Sequence, residues 1–488
     1  MVPTSLQVAF PLNNIFALFY KKKICLLFLA LISICYKTAA QSIEWQNSLE
    51  AKYAGPQPII ATPDGGYLVA SPDVSAIRFN KIDKNGKPVW QKSVSSSGSM
   101  ETLLATPDNG YLIGGNRNNN YWVMKIDKNW TKVWEKNFGG DSTETLASVV
   151  ANKDGSFVLG GTSYSGKSGD KTQPLKGYSD YWIIKIDQNG QKLWDNAYGG
   201  VIREALSYTY NPDGEPVADT ITTGNSYFKK IVADPDGGYL LGGSTNSFAG
   251  NDNTADSQNT EEYPTWSGWD QWILKIDKDG RKLWDKAYNT GSYAPAFTTM
   301  ILTPDKGLLL GGTEYFDYGQ SEFGSYYAVR KISSTGEIVW TNSYGFVFGF
   351  DEELTTLLNT PDGGYLIGGN SSDNGSEWGD KSENSRGLED YWIIKVNSRG
   401  IRVWDKTLGG DGVENLTALF VAADGGYLLA GFSLSEISGD KTVDRQGTND
   451  FWLVKVKENK PLTAEWDLRY GGAVTKVLPR LLKRLMEV

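Results

Sequence analysis

The sequence predicts an all-β fold, a β-propeller of seven or eight four-stranded blades. Three observations carry this prediction: a turn-and-strand block that recurs seven times, a second strand block that follows it, and a regularly placed tryptophan after that. The 488 residues include 55 glycines and 17 tryptophans, and 12% of them are aromatic. Such a composition suits short strands joined by tight turns better than it suits helices.

The first block is a turn followed by an apolar strand. Its proline presets φ at the first turn position, and its Asp and Gly tolerate the positive-φ positions that follow. The strand usually ends in a glycine pair such as Gly368-Gly369, where another backbone is expected to approach closely. The seven copies begin at Thr62, Thr106, Lys153, Asp234, Thr303, Thr360 and Asp424.

The second block has the form of Tyr121–Asp127 and leads through a hairpin turn such as Gln188-Asn189-Gly190 into a strand with a tryptophan. Four short antiparallel strands per repeat are the make-up of one propeller blade. A single blade cannot bury its faces alone, so the repeated tryptophans are predicted to pack between blades and not to serve as ligand platforms. They are Trp90, Trp134, Trp194, Trp284, Trp340 and Trp404. A stacked β-solenoid is the alternative fold, although its units are usually shorter.

Counting from Trp45, the chain holds seven complete units, and Trp466 opens an eighth. The insertions cluster at two points of the unit. Loops that recur at one point of each blade are expected to gather on one face of the disc, where propellers usually bind. The inserted segments are 162–179, 244–269, 370–389 and 432–449 at one point, and 201–226 at the other.

Residues 1–40 are predicted to be a secretory signal peptide. Three lysines precede the apolar run Ile24–Cys35, and Thr38-Ala39-Ala40 offers a cleavage site before Gln41. The run is too short to span a bilayer comfortably. A retained anchor is the alternative, and lipidation of Cys35 is disfavoured by the bulky Ile34 before it. The expected location is secreted or on the outer cell surface, with no membrane span in the mature chain.

Charge and composition exclude several classes of function. The net charge is −9, and removal of residues 1–40 takes away four lysines and gives −13. Such a surface repels nucleic acid, so no nucleic-acid partner is expected. The chain has no histidine, and both cysteines lie before residue 41. Ser-His-Asp and Cys-His catalysis and His or Cys metal sites are therefore excluded.

The remaining chemistry rests on carboxylates in the inserted loops, which are Asp170, Asp252, Asp256, Glu261, Glu262, Asp380 and Asp440. Three of them recur within Gly-Asp-Lys, which indicates a structural loop cap, so no catalytic residue and no metal ligand are assigned. Calcium is the only cofactor left open, although the regular ligand spacing of a calcium-binding loop is absent from the sequence. Trp266, Trp269 and Trp378 lie outside the repeat positions and, with Asp252, are the candidate ligand-binding residues. Packing beneath a long loop is the alternative for the tryptophans.

The segment Lys185–Trp194, with its copies Lys81–Trp90 and Lys275–Trp284, resembles the tryptophan-docking repeat of quinoprotein-type (PQQ-like) propellers. The whole unit resembles the secreted Asp-Gly-Gly-Tyr-Leu repeat proteins of Bacteroidetes, cargo of type IX secretion that usually carries a C-terminal sorting domain. Ser-Gly-Asp-Lys, at 168–171 and 438–441, is typical of them. The quinone cofactor is not implied, because the adjacent cysteine pair of those dehydrogenases is missing. The sorting domain is missing too.

The predicted domains are the signal peptide 1–40, the repeat domain 41–470 and an aberrant tail, 471–488. The tail reads as a basic helix unlike anything before it. A one-base shift allows Leu482–Val488 to be read as Ile-Lys-Thr-Pro-Asp-Gly-Gly, the turn of the repeat itself. The hypothesis is a frameshift within an eighth repeat, and a genuine C-terminal helix is the alternative.

The predicted function is a secreted or cell-surface, non-enzymatic binding or scaffold module for protein or glycan, expected to be a monomer. A carboxylate-dependent glycan-active enzyme and a truncated gene product without function are the alternatives.

Overall fold

The computed structural model describes residues 41–457 except 52–57, 74, 203, 211–215, 255–267, 293, 295, 318–322, 346–350, 374–380 and 448. The predicted signal peptide, Trp266, Trp378, Trp466 and the tail 471–488 lie outside the described residues. The strands are β1 (Ser42–Ala51), β2 (Ile59–Ala61), β3 (Tyr67–Pro72), β4 (Ala76–Ile82), β5 (Pro88–Ser95), β6 (Thr102–Ala105), β7 (Tyr111–Arg117), β8 (Asn120–Ile126), β9 (Lys132–Phe138), β10 (Glu144–Ala151), β11 (Phe157–Ser163), β12 (Asp180–Ile186), β13 (Lys192–Tyr198), β14 (Glu204–Tyr210), β15 (Pro216–Thr222), β16 (Ser226–Ala233), β17 (Tyr239–Thr245), β18 (Trp269–Ile276), β19 (Lys282–Ser292), β20 (Phe297–Leu302), β21 (Leu308–Asp317), β22 (Phe323–Ile332), β23 (Ile338–Tyr344), β24 (Glu352–Asn359), β25 (Tyr365–Ser371), β26 (Asp390–Val396), β27 (Arg402–Leu408), β28 (Glu414–Val421), β29 (Tyr427–Ser433) and β30 (Asn449–Lys457).

These strands form seven four-stranded antiparallel sheets, which are the blades of a seven-bladed β-propeller. Blade 1 is β2–β5, blade 2 is β6–β9, blade 3 is β10–β13, blade 4 is β16–β19, blade 5 is β20–β23 and blade 6 is β24–β27. Blade 7 is β28–β30 with β1 as its outer strand. The predicted all-β propeller is therefore confirmed, with the lower of the two blade counts for the part of the chain that is described.

In blades 1, 2, 5, 6 and 7 the lysine of the third strand pairs with the aspartate of the Asp-Gly turn. The Nζ of Lys331 lies 2.8 Å from Asp305 Oδ1, and the Nζ of Lys125 lies 2.7 Å from Asp108 Oδ2. Both lysines are almost fully buried, while the aspartates remain exposed. Burial of an unpaired lysine would cost free energy. The ion pair with the turn aspartate therefore allows a lysine to occupy this buried position of the third strand.

The cores lie between neighbouring blades. Tyr181 of blade 3 packs on Trp272 of blade 4, with ring centroids 4.9 Å apart, and its hydroxyl donates to the Trp272 carbonyl at 3.2 Å. The glycine pairs permit this close packing, because a Cβ on Gly368 would lie 2.7 Å from Leu416 Cδ2 of the next blade. Repetition of these contacts joins each blade to its neighbour, and a further core cluster joins blades 7 and 1.

The ring is closed by the pairing of β1 with β30, from Ser42↔Lys457 to Ala51↔Asn449. Trp45 stands opposite Lys455, as Trp404 stands opposite Lys395 in blade 6. A sequence unit begins with its tryptophan strand, whereas a blade ends with it. Trp45 therefore completes the last blade and does not open the first one.

The two faces of the disc differ. One carries the short Asp-Gly and Asn-Gly turns, and the other carries the inserted connections. This second face, the long-loop face, contains the connections between the second and third strands of each blade and those between successive blades. Bridges Ser179↔Asn225 and Val201↔Phe248 join the two kinds of connection. Segment 201–226 contains the hairpin β14–β15, and β21 and β22 of blade 5 extend beyond their counterparts on this face.

Candidate functional site

An aromatic cluster lies on the long-loop face where blades 3 and 4 meet. The rings of Tyr227 and Trp269 stack with centroids 5.0 Å apart and an interplanar angle of 23°. Tyr164 hydrogen-bonds to Tyr227, and the exposed Tyr178 lies nearby. Burial and then this hydrogen bond raise the pKa of Tyr164 to about 12. Tyr164, Tyr178, Tyr227 and Trp269 are called the aromatic cluster below.

The positions of these side chains follow from the blade architecture. Tyr227 stands at the start of the inner strand β16 and Trp269 at the start of β18, so both lie at the long-loop ends of blade 4. Tyr164 and Tyr178 belong to the connection between β11 and β12 of blade 3. Tyr164, Tyr227 and Trp269 are half-buried, which leaves part of each ring available for contact. The hairpin β14–β15, between blades 3 and 4, lies on the same face, and so do the extended ends of β21 and β22 in blade 5.

A buried polar cluster lies between blades 4 and 5, next in the ring to the aromatic cluster. Arg330 of β22 donates from Nη1 to Gln271 Oε1 at 2.7 Å and from Nη2 to the Asn289 carbonyl at 3.2 Å. Its guanidinium carbon lies 5.4 Å from the centroid of the Tyr288 ring. Glu314 accepts a hydrogen bond from the Tyr326 hydroxyl at 2.6 Å. This set, with Asp270, is called the Arg330 cluster.

Burial governs the charges of the Arg330 cluster. It raises the pKa of Asp270 to about 6, although the positive charge of Arg330 acts in the opposite direction. It also raises the pKa of Glu314, against the hydrogen bond from Tyr326 and the charge of Arg330. Two carboxyls with raised pKa values therefore lie beside one buried cation.

Sequence reasoning missed the Arg330 cluster, although a signal was present. Where the third strands of blades 2, 3, 5 and 6 carry Tyr, blade 4 carries Gln271, and where those of blades 2, 3, 4, 6 and 7 carry an aliphatic residue or Met, blade 5 carries Arg330. The two departures face each other across one boundary. The two polar side chains pair with each other, with Arg330 Nη1 donating to Gln271 Oε1, so this pair of departures could be read as one contact between blades 4 and 5.

Asp252 occupies a loop cap. Its backbone N–H donates to the Gly199 carbonyl at 3.0 Å, and its carboxylate pairs with Lys176 at 2.5 Å. Asp170 and Asp440 make the corresponding backbone hydrogen bonds to Gly139 and Gly409. The three aspartates are thus equivalent. Asp252 does not match the Gly-Asp-Lys pattern because Asn251 and Asn253 stand where the others have glycine and lysine. A ligand-binding role for Asp252 stays a prediction.

The six repeated tryptophans stand on the outer strands, against the next blade. The Nε1 of Trp134 donates to the Gln188 carbonyl at 2.9 Å, and the Nε1 of Trp340 donates to the Ser398 carbonyl at 3.1 Å. Trp404 lies 6.4 Å from the ring of Tyr427 in blade 7. Trp90, Trp194 and Trp284 join the core clusters shared with the following blade.

A second tryptophan series, on the third strands, is more deeply buried. Trp182, Trp272 and Trp392 are fully buried, and each donates its Nε1 at 3.1 Å to the aspartate that follows the outer-strand tryptophan. Among the described residues, no group of three or more Asp, Glu, His or Cys side chains is arranged to hold a metal ion. The same part of the chain contains no helix that could cross a membrane.

Fold and topology together define the chain as a seven-bladed β-propeller. No protein-family model matches it, and no curated protein matches its sequence. Solved propeller structures are similar in fold. A protein of unknown function from Bacteroides caccae is 13% identical, with a TM-score of 0.35, over 72% of this chain and 94% of that one. Virginiamycin B lyase from Staphylococcus aureus is 11% identical, with a TM-score of 0.43, over 84% and 99%. The Pan2 WD40 domain of Neurospora crassa is 9% identical, with a TM-score of 0.43, over 86% and 96%.

Proposed function

We propose that the chain is a secreted or cell-surface, non-enzymatic binding module that holds a glycan on the long-loop face, at the aromatic cluster. The observation that carries this proposal is the half-buried stack of Trp269 on Tyr227, on the face that collects the inserted connections. Indole and phenol rings offer flat apolar faces for the C–H surface of a sugar ring, and the tyrosine hydroxyls offer hydrogen bonds. The net negative charge favours a neutral glycan over an anionic one.

The resemblance to the secreted repeat proteins of Bacteroidetes supports export by type IX secretion. The leader pattern of residues 1–40 supports it too, although those residues lie outside the described ones. We propose no cofactor, with calcium as the one ion to be tested, and we propose a monomer.

The test is a glycan array probed with the mature chain and with Trp269→Ala and Tyr227→Ala variants. We expect each variant to weaken binding by about tenfold or more, since each removes one member of the stack. The matched control is Leu193→Ala, at an exposed apolar residue on the outer strand of blade 3. Unchanged binding by both aromatic variants, or binding to a protein with no response to any glycan, would overturn the proposal.

A carboxylate-dependent glycan-active enzyme is the second candidate, and one observation favours it. Asp270, directly after Trp269, has a pKa raised to about 6 by burial, which is suitable for acid–base work. The glycans that bind should therefore also be screened for hydrolysis. Turnover that is abolished by Asp270→Asn would replace the binding module with the enzyme.

A further inference from the structure

A groove opens between the outer strand of blade 7 and the neighbouring blade 1. Its volume is about 450 Å³, within the range of small-molecule sites. It lies in a different part of the ring from the aromatic cluster and the Arg330 cluster, which both adjoin blade 4. It is called the blade 7–1 groove below. Leu49, Glu50 and Gln446 line it from blade 7, and Arg78, Asn80 and Gln91 line it from blade 1.

The groove lies where other blades bury an indole ring. Three residues before the buried lysine, the third strands of blades 2, 3, 4, 6 and 7 carry a tryptophan that is fully buried. The first of these, Trp122, packs against blade 1, so this position faces the preceding blade. Blade 1 has Arg78 there, and its guanidinium is held by Glu50 Oε2 at 3.3 Å and by Asp73 Oδ2 at 3.1 Å. An indole is therefore missing between blades 7 and 1.

The groove keeps the hydrogen-bond acceptor that a buried indole uses in the other blades. In blades 2, 3, 4 and 6 the indole Nε1 donates to the carboxylate that follows the outer-strand tryptophan. In blade 7 it donates to an amide oxygen, Gln46 Oε1, at 3.2 Å. Blade 1 has Gln91 at this position, and Gln91 Nε2 donates to Asn80 Oδ1 at 2.9 Å. The Gln91 Oε1 accepts no hydrogen bond from the described residues and can accept one from a ligand.

The groove also offers a cation to the face of an aromatic ring. In blade 2, the guanidinium carbon of Arg117 lies 4.8 Å from the centroid of the Trp122 ring. The Arg78 guanidinium lines the groove, and guanidinium groups are attracted to the faces of indole rings. The Glu50 carboxylate and the Gln446 amide oxygen can accept hydrogen bonds from peptide N–H groups beside such a ring. The groove therefore suits an indole that is carried on a peptide.

We propose that the blade 7–1 groove binds the tryptophan side chain of a peptide ligand. The indole ring lies against Arg78 and donates its Nε1 to Gln91 Oε1, and the adjoining peptide N–H groups donate to Glu50 and Gln446. The ligand thus supplies the indole that the third strand of blade 1 lacks. This site is separate from the proposed glycan site, so each can be tested without the other.

The first experiment is a calorimetric titration of the full chain with N-acetyltryptophanamide. Arg78→Trp restores the repeat and fills the groove with the chain's own indole, so we expect it to weaken binding by about tenfold or more. Val133→Trp is the matched control, since it adds an indole at an exposed position of blade 2 and should leave the affinity unchanged. Equal affinities of the parent and Arg78→Trp chains, or no binding to the parent chain at roughly millimolar concentrations, would overturn the proposal.

The second experiment tests the hydrogen bond to Gln91 and does not depend on the folding of Arg78→Trp. N-acetyl-1-methyltryptophanamide lacks the ring N–H, and we expect it to bind the parent chain about fivefold more weakly than N-acetyltryptophanamide does. In Gln91→Met, at an exposed residue, the two ligands should bind alike. An equal effect of the methyl group in both chains would contradict the proposal. Trp269→Ala should bind N-acetyltryptophanamide as the parent chain does, which separates this site from the glycan site.

Discussion

At the scale of single residues, the repeat buries charged side chains, and the groups that pair with them determine how stability depends on pH. Lys81 is buried and its Nζ lies 2.8 Å from Oδ1 of the exposed Asp64. Asp390 is buried and has no hydrogen-bond partner on Oδ1. The Lys81–Asp64 pair predicts a loss of stability in acid, and the buried Asp390 predicts a loss of stability in base.

The Lys81–Asp64 pair should contribute stability that is lost in acid. Hydrogen bonds from Lys81 and then Thr62 lower the pKa of Asp64 to about 2, below the roughly 3.9 of an unfolded Asp. The contribution is present above about pH 4 and is lost as the pH falls through about 2. For an exposed carboxylate it amounts to about 1 kcal/mol or less. Lys81→Met should therefore show a smaller loss of unfolding free energy between pH 6 and pH 3 in urea titrations.

The control for that measurement is Lys84→Met, at an exposed lysine in the neighbouring turn. A loss for Lys81→Met equal to that of Lys84→Met would show that the pair does not set the acid sensitivity.

The boundary of blades 6 and 7 brings two carboxylates together. Asp390 Oδ1 and Glu414 Oε2 lie 1.8 and 2.8 Å from the point that a Cβ on Gly409 would occupy. Burial, and then Glu414, raise the pKa of Asp390 to about 7. Because this folded pKa exceeds the unfolded one, the stabilising contribution is complete below about pH 4 and is lost as the pH rises through about 7. Asp390→Asn should raise the unfolding free energy at pH 8 by on the order of 1 kcal/mol, and by less at pH 5.

The chain provides the matched variant for this prediction. Between blades 2 and 3 the corresponding place near Gly139 is taken by Asn120, beside Glu144. Asn120→Asp should therefore destabilise the protein at pH 8 more than at pH 5. Urea titrations at both pH values measure the two variants, and changes of the same sign would refute the explanation.

At the scale of elements, the third strands fasten each blade to the next. The hydroxyls of Tyr121 and Tyr327 donate at 2.9 Å to the carbonyls of Trp182 and Asn370 in the following blade. Blade 7 carries Phe451 at this position. Packing of the aromatic ring is thus common to these blades. The tyrosine hydroxyl adds a hydrogen bond to it.

Tyr121→Phe should lower the unfolding free energy by about 1 kcal/mol, because it deletes one buried hydrogen bond and leaves the ring in place. Chemical denaturation measures the change. Phe451→Tyr is the comparison, since it adds a hydroxyl where the chain has none. A cost near zero for Tyr121→Phe would mean that ring packing alone joins the blades.

At the scale of the whole molecule, the propeller depends on a contact between segments about four hundred residues apart in the chain. Ser42 and Lys457 are Cα partners at the point of closure, and both side chains are exposed. Everything between them is joined by contacts between neighbouring blades.

A disulfide at this point should stabilise the whole ring. In a Cys25→Ser, Cys35→Ser background, oxidised Ser42→Cys, Lys457→Cys protein should have a higher Tm than its reduced form. The loop-closure model gives a stabilisation of roughly 6 kcal/mol for a loop of this length. Calorimetry with and without reductant measures it. Equal Tm values for the two forms would show that ring closure does not limit unfolding.

The sequence by itself determined the blade. The Asp-Gly turn, the glycine pair, the Tyr-Trp strand and the outer tryptophan are local patterns, and local chemistry determines turns, strand alternation and hairpins. Seven such units predicted seven blades, because a single unit cannot bury its own faces.

Only the tertiary structure decided which strand closes the ring, that Asp252 belongs with the loop caps, and that Gln271 and Arg330 face each other. These facts depend on segments far apart in the chain. The strand of Trp45 carries the same local signal as the other outer strands, and only its pairing with β30 shows which blade it completes.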